Sequence, residues 1–308
     1  MPLDPRLAVL LAATLWGTTG TARALGPDDA SPTAVGAARL VIGGACLVLV
    51  GWRLGWLSAP RRPDARGGRP WDGGGAPAFV VAVAAIAAYQ PLFFGGVART
   101  GVAIGTMVGI GSSPVFAGAL GIVVRGERPG RRWLGATALA LAGTLLLAGA
   151  GDRDDVDLAG LALALGAGFA YAIYVLVTKL LLDGGAAPEG LTARVFGCAG
   201  LVLLPVALAA GIGPLLSPGG LLMVAHLGIV TLGVGYVLFT RGLTGVGVAA
   251  AGTLTLAEPA TATVCGIAIL GERPGGAALV GLSLVAAGIV LLVTSRRRGR
   301  VAVESSDP

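Results

Sequence analysis

The chain has no asparagine and only one lysine (Lys179), one histidine (His226) and one glutamine (Gln90) among its 308 residues. Without asparagine there is no N-glycosylation acceptor. A single histidine, with no H-E-x-x-H, G-x-S-x-G or P-loop pattern, leaves no familiar catalytic, cofactor or nucleotide-binding constellation, so neither enzyme activity nor a cofactor is expected. The three cysteines (Cys46, Cys198, Cys265) lie far apart inside apolar runs, as small buried hydrophobes rather than a disulfide or metal site. Charge is scarce too, at 12% of residues against about 25% in a soluble domain. What fills the space is 55% hydrophobic residues and 53 glycines, with a mean hydropathy of +0.85. A soluble globular enzyme, a disordered chain and a disulfide-stapled secreted domain are excluded. This is the composition of an integral membrane protein, with the lipid bilayer as its first partner.

The apolar runs are long and do not alternate, so they predict helices rather than barrel strands. At roughly 20 residues per span, ten are expected: Leu7–Leu25, Thr33–Gly51, Ala76–Val97, Val102–Val124, Trp133–Ala150, Leu158–Leu181, Leu191–Ala210, Leu221–Thr240, Val246–Leu270 and Ala277–Thr294. Ala22-Arg23-Ala24 also resembles a signal-peptidase site, but the first span has a partner later in the chain. With a cytoplasmic N-terminus, sixteen cationic residues fall in cytoplasmic segments and four (Arg23, Arg99, Arg153, Arg273) outside. The acidic run Asp152, Asp154, Asp155, Asp157 also falls outside. Both termini are therefore expected in the cytoplasm of a bacterial cell, with 295–308 as a basic tail. The sequence pI of 9.9 reflects this bias and not nucleic-acid binding.

The chain repeats. Gly126-Glu127-Arg128-Pro129-Gly130 returns as Gly271-Glu272-Arg273-Pro274-Gly275, an offset of 145 that also pairs Phe94 with Phe239, Pro114 with Pro259 and Gly143 with Gly288. Earlier in the halves the offset is 155, pairing Ala38-Arg39 with Ala193-Arg194 and Trp16 with Tyr171. The change falls at the Arg/Gly/Pro loop 52–75. Five spans per half force the second copy to enter from the opposite face, giving inverted repeats over 7–150 and 158–294. Such repeats are a hallmark of secondary transporters.

Ser113-Pro114 with the first Gly-Glu-Arg-Pro, Glu258-Pro259 with the second, Leu15-Trp16-Gly17-Thr18 and Ala38-Arg39-Leu40 together resemble the paired EamA repeats of the drug/metabolite transporter superfamily. The resemblance covers 7–294 and implies a ten-helix bacterial carrier, often an exporter of amino acids or related metabolites. The second half departs from it with Tyr171-Ala172 where the first has Trp16-Gly17.

A charge at bilayer depth costs at least about 2.5–3.5 kcal/mol and must face protein or a water-filled cavity. Glu258 lies near the middle of its span, before a proline that removes a backbone donor and clashes with the Thr255 carbonyl. It is either a substrate-ammonium or proton-coupling group, or a structural acid bonded across the bundle. Tyr89 and Gln90 precede Pro91, and Gln90 offers donors and acceptors to a polar ligand or to a neighbouring helix. Ser113 occupies the position of Glu258 in the first half. Pro91, Pro114 and Pro259 are expected to kink their helices. His226 reads as a proton-path residue or a neutral partner of a neighbour. Trp16, Tyr171, Tyr174 and Tyr236 could line a cavity or pack. Arg39 and Arg194, paired by the repeat, could bind a substrate carboxylate, but both lie near span ends, where snorkelling to the interface is the favoured reading. Gly101, Gly105 and Gly109 allow close helix approach within one protomer or across a homodimer.

These features favour a secondary transporter of a small molecule by alternating access, with protons as a coupling ion; export, and an amino acid as cargo, are what the resemblance implies. Efflux of cationic drugs is the alternative within transport. A channel subunit or a non-transporting scaffold is the alternative outside it, and no filter-like run of polar residues supports a channel.

Overall fold

The structure is a computed structural model in which residues 3–58, 75–147, 157–271, 273 and 275–294 are described. The basic tail, most of the Arg/Gly/Pro loop, Asp152 to Asp155, Glu272 and Pro274 lie outside these residues.

Several helices carry their start signals in the sequence. Asp4, Ser31 and Ser217 each precede a proline that opens a helix, where its missing N–H is one no intrahelical carbonyl would have used. Their side chains accept from the backbone N–H groups of Arg6 and Leu7, of Ala34 and of Gly220. In chain order the helices are α1 (Pro5–Gly17), α2 (Thr19–Ala24), α3 (Pro32–Arg53), α4 (Gly75–Thr100), α5 (Val102–Arg125), α6 (Arg131–Leu147), α7 (Leu158–Asp183), α8 (Pro188–Ala209), α9 (Pro218–Ala225), α10 (Gly235–Leu243), α11 (Val248–Leu254), α12 (Ala257–Leu270) and α13 (Gly276–Val293). A short 3-10 turn (Gly213–Leu216) precedes α9, and a π-helical segment (His226–Val234) joins α9 to α10. No strand occurs among the described residues.

Eight helical stretches are long and apolar enough to cross a membrane, counting Pro218–Leu243 and Val248–Leu270 as one each. Of the ten expected, the first is divided at Thr18 and the fifth has 17 described helical residues, in α6.

Three expected spans are not regular. The first breaks at Thr18, whose hydroxyl donates to the Leu15 carbonyl at 2.7 Å. The ninth breaks between Leu254 and Ala257, because Pro259 cannot donate to the carbonyl of Thr255; the N–H of Glu258 takes that carbonyl instead, at 3.0 Å. The eighth passes through the π segment, for which the sequence holds no signal that we recognise. By contrast, α4 and α5 run on through Pro91 and Pro114.

The helices pack across the two halves of the chain. α3 lies against α8, α4 against α7, α6 against α13, α1 against α10 and α5 against α11. Glycines permit the closest of these approaches. A Cβ on Gly143 would lie 2.5 Å from the carbonyl oxygen of Gly281, and one on Gly288 would lie 2.6 Å from that of Ala136. Gly105 and Gly109 face Val97 and Phe93 of their own chain, so within this chain they serve the turn between α4 and α5. Gly126 and Gly271, the first residues of the repeated motif, both end their helices in the left-handed conformation, with φ of 63° and 71°.

Candidate functional site

Five of the sequence-singled residues converge on one cavity of about 620 Å³: Trp16, Tyr89, Gln90, Ser113 and Glu258, with Pro259 beside them. The broken helix carries Glu258 and Thr255 to its wall, α4 supplies Tyr89 and Gln90, and α1 supplies Trp16. Tyr171, Tyr236 and Arg39 complete it. The cavity runs from this level to Arg23, Ala24 and Asp28 at one end of the bundle, where Ala24 and Asp28 are exposed.

An aromatic cluster adjoins the cavity and shares Trp16, Tyr171 and Tyr236 with its wall. The Trp16 ring lies 4.7 Å from Tyr236 and 5.4 Å from Phe239, and Tyr236 lies 4.3 Å from Phe196. Trp16 is 5% exposed, which excludes the interfacial belt for this tryptophan. Its indole Nε1 donates to the carbonyl of Thr231 at 2.9 Å, inside the π segment, where widened turns free carbonyls for such partners. Gly17, next in sequence, allows α1 to meet the broken helix: a Cβ there would lie 2.7 Å from the carbonyl oxygen of Glu258.

Polar groups on the wall are left open. Gln90 Oε1, the Tyr171 hydroxyl and Arg39 Nε are buried and have no hydrogen-bond partner among the described residues. The Ser113 hydroxyl donates to the Ile110 carbonyl of its own helix at 2.8 Å, which leaves it as an acceptor. An acid, a guanidinium, an amide and phenols on aromatic walls can hold a small polar molecule by charge, hydrogen bonds and stacking. Among the described residues no three His, Cys, Asp or Glu side chains cluster to hold a metal ion.

His226 stands apart from the cavity wall. Its Nε2 shares a 2.8 Å hydrogen bond with the Thr18 hydroxyl; since that hydroxyl also donates to Leu15, the imidazole is the donor. This joins the break in the first span to the start of the π segment. Arg194 is half-buried and donates to the Leu57 carbonyl at 2.5 Å, whereas Arg39 is 8% exposed and faces the cavity. Depth along a helix does not separate these two arginines, so the sequence favoured snorkelling for both, whereas Arg39 borders the cavity.

The far end of the bundle is closed by charges. Asp183 binds Arg125 at 2.7 Å and Lys179 at 3.0 Å, and Lys179 also donates to the Thr244 carbonyl. Glu127 pairs with Arg125 and accepts from the backbone N–H groups of Val248 and Ala249 at the start of α11. Trp133 donates to the Ala249 carbonyl, and Thr137 shares a hydrogen bond with Thr253.

A bundle of membrane-length apolar helices around a largely apolar cavity that carries a few charged and hydrogen-bonding groups is the architecture of a multi-pass membrane transporter. The EamA-like transporter family model matches residues 6–149 and again 158–294, and the chain belongs to that family. It is 38% identical over 296 residues to the uncharacterized transporter YwfM of Bacillus subtilis, covering 96% of each chain. It is 31% identical over 303 residues to the uncharacterized protein PA1977 of Pseudomonas aeruginosa, covering 97% of each. A solved crystal structure shares the fold with a TM-score of 0.77 at 19% identity, covering 93% of this chain and 95% of that one.

Proposed function

We propose that this protein is a secondary transporter of the bacterial plasma membrane, exporting small metabolites such as amino acids by alternating access and coupled to protons through Glu258. The observation that carries the proposal is the position of Glu258: a carboxyl group on the wall of the cavity, beside a helix break, at the depth where such a group is costly unless used. A cavity that reaches one end of the bundle, while aromatic rings and ion pairs fill the other, is one of the two states alternating access requires.

The helix pairing supports two inverted halves of five spans each. With the divided first span and α6 counted, there are ten. Exchanging the halves turns the pair α1 with α10 into the pair α7 with α4, and returns the other three pairs to themselves. The positive-inside count puts the closed end and both termini in the cytoplasm and the cavity mouth outside. Export rests on the family resemblance. Efflux of organic cations is the second reading, favoured by the aromatic walls around Glu258.

The test is uptake into proteoliposomes of pooled labelled amino acids and cationic drugs, with and without a pH gradient. Gradient-accelerated uptake that Glu258→Gln uncouples is the expected result. Coupled uptake that survives Glu258→Gln returns this residue to a structural role. Exchange indifferent to the gradient in the wild type makes the protein a facilitator.

A further inference from the structure

We infer that Arg39 is the specificity-determining residue of the cavity: it receives an anionic group of the cargo, a carboxylate or a group of like charge, and so excludes ligands that carry only positive charge. The inference rests on the proposed transport reading and adds to it the sign of the charge at a particular side chain.

Arg39 lies in α3, seven residues from its first residue and so about 10 Å along the axis at 1.5 Å per residue. At that depth it is 8% exposed, borders the cavity, and holds Nε buried with no hydrogen-bond partner among the described residues. No ion pair to it occurs there either. Glu258 is within its electrostatic reach but not in contact. An arginine cannot shed its proton in a protein, so an unpaired guanidinium so deep is destabilising unless another anion completes it. Glu258 lines the same cavity without forming an ion pair with it, so both charges are available to one bound molecule.

Two neighbours fit the same assignment. Gln90, 3% exposed, leaves Oε1 open, and the Tyr171 hydroxyl is open too, so the wall offers hydrogen-bonding groups beside its two charges. The repeat supplies an internal control. Arg194, the counterpart of Arg39, donates to the Leu57 carbonyl away from the cavity. The arginine that borders the cavity is the one left open, and the planar fork of its guanidinium matches a carboxylate geometrically.

The experiment uses purified full-length protein and three probes that share one ring: phenylalanine, phenethylamine without the carboxylate, and 3-phenylpropionate without the amine. Phenylglyoxal labelling of Arg39, mapped by mass spectrometry, should proceed from water and be slowed by phenylalanine and phenylpropionate but not by phenethylamine. In proteoliposomes, Arg39→Gln should lower uptake of carboxylate-bearing compounds about tenfold or more, the order expected for one charged hydrogen-bond partner, and shift preference toward the amine. Arg39→Lys should restore part of the carboxylate preference. An Arg39 that phenylglyoxal does not reach, labelling that no carboxylate slows, or a selectivity unchanged in Arg39→Gln would overturn the inference while leaving transport intact. Carboxylate protection of Arg39 in a protein that moves none of the compounds would instead sink the transport reading and keep the site.

Discussion

The carboxylate of Glu127 caps the start of α11 from 121 residues away: one oxygen accepts from the N–H of Val248 at 2.9 Å and the other from that of Ala249 at 3.2 Å. The motif that marks the sequence repeat thus ties the two halves together at the closed end. Replacing Glu127 by Ala strands two backbone donors and loses about 1–2 kcal/mol. We expect a lower melting temperature in detergent, and faster maleimide labelling of a cysteine placed at Thr253 in a background lacking the natural cysteines. Unchanged labelling would show that this cap does not hold the end shut.

Asp183 and Asp157 sit in ion pairs of very different worth. Asp183 serves both Arg125 and Lys179, whose side chains are 19% and 8% exposed, whereas Asp157 meets an exposed Arg99 at 3.5 Å. Asp183→Asn should therefore destabilise the protein several-fold more than Arg99→Gln, which belongs to the exposed class worth at most about 1 kcal/mol. Matched thermal melts at low and high salt would decide it, since only the exposed pair should fade much with salt.

Asp157 also caps α7, and the Gly160 N–H, helped by Arg99, holds its carboxyl below the usual range despite partial desolvation. Because folding lowers this pKa, the cap contributes at neutral pH and is lost as pH falls through the folded value. Melting curves of wild type and Asp157→Asn should converge toward acid pH. A gap that stays constant with pH would overturn the assignment.

Trp16→Phe keeps a ring against Tyr236 and Phe239 but removes the donor to the Thr231 carbonyl. About 1 kcal/mol should be lost, against about 3–5 kcal/mol for Trp16→Ala. Thermal melting orders the two. Uptake in Trp16→Phe should fall if the π segment must keep its shape during transport.

Much of this was legible from the residues. Composition gave the membrane class, the repeated Gly-Glu-Arg-Pro gave two related halves, and the proline after Glu258 marked Thr255 as the carbonyl that loses its partner. Other features were not. The π segment meets Trp16 and Thr18, 215 and 208 residues earlier in the chain, through hydrogen bonds that local sequence does not record. The different fates of Arg39 and Arg194 depend on helix rotation, to which a count of residues from a span end is blind.

Gly143 and Gly288 make a further prediction from the repeat. Each lacks room for a Cβ because backbone of the opposite helix occupies it, so Ala at either position should cost about 1–3 kcal/mol by overpacking. Gly111→Ala, with nothing within 4 Å of the added carbon, serves as the control and should be neutral or mildly stabilising. Folded yield and melting temperature of the three variants would check this.

The N–H of Glu258 holds the Thr255 carbonyl that Pro259 leaves unserved, while the side chain of the same residue faces the cavity. Bend and charge are therefore one mechanical coordinate. Straightening this helix must carry the carboxyl group to a new place, and any event that pulls on the carboxyl group must act on the hinge. A lever of that kind needs no separate relay between cargo and helix.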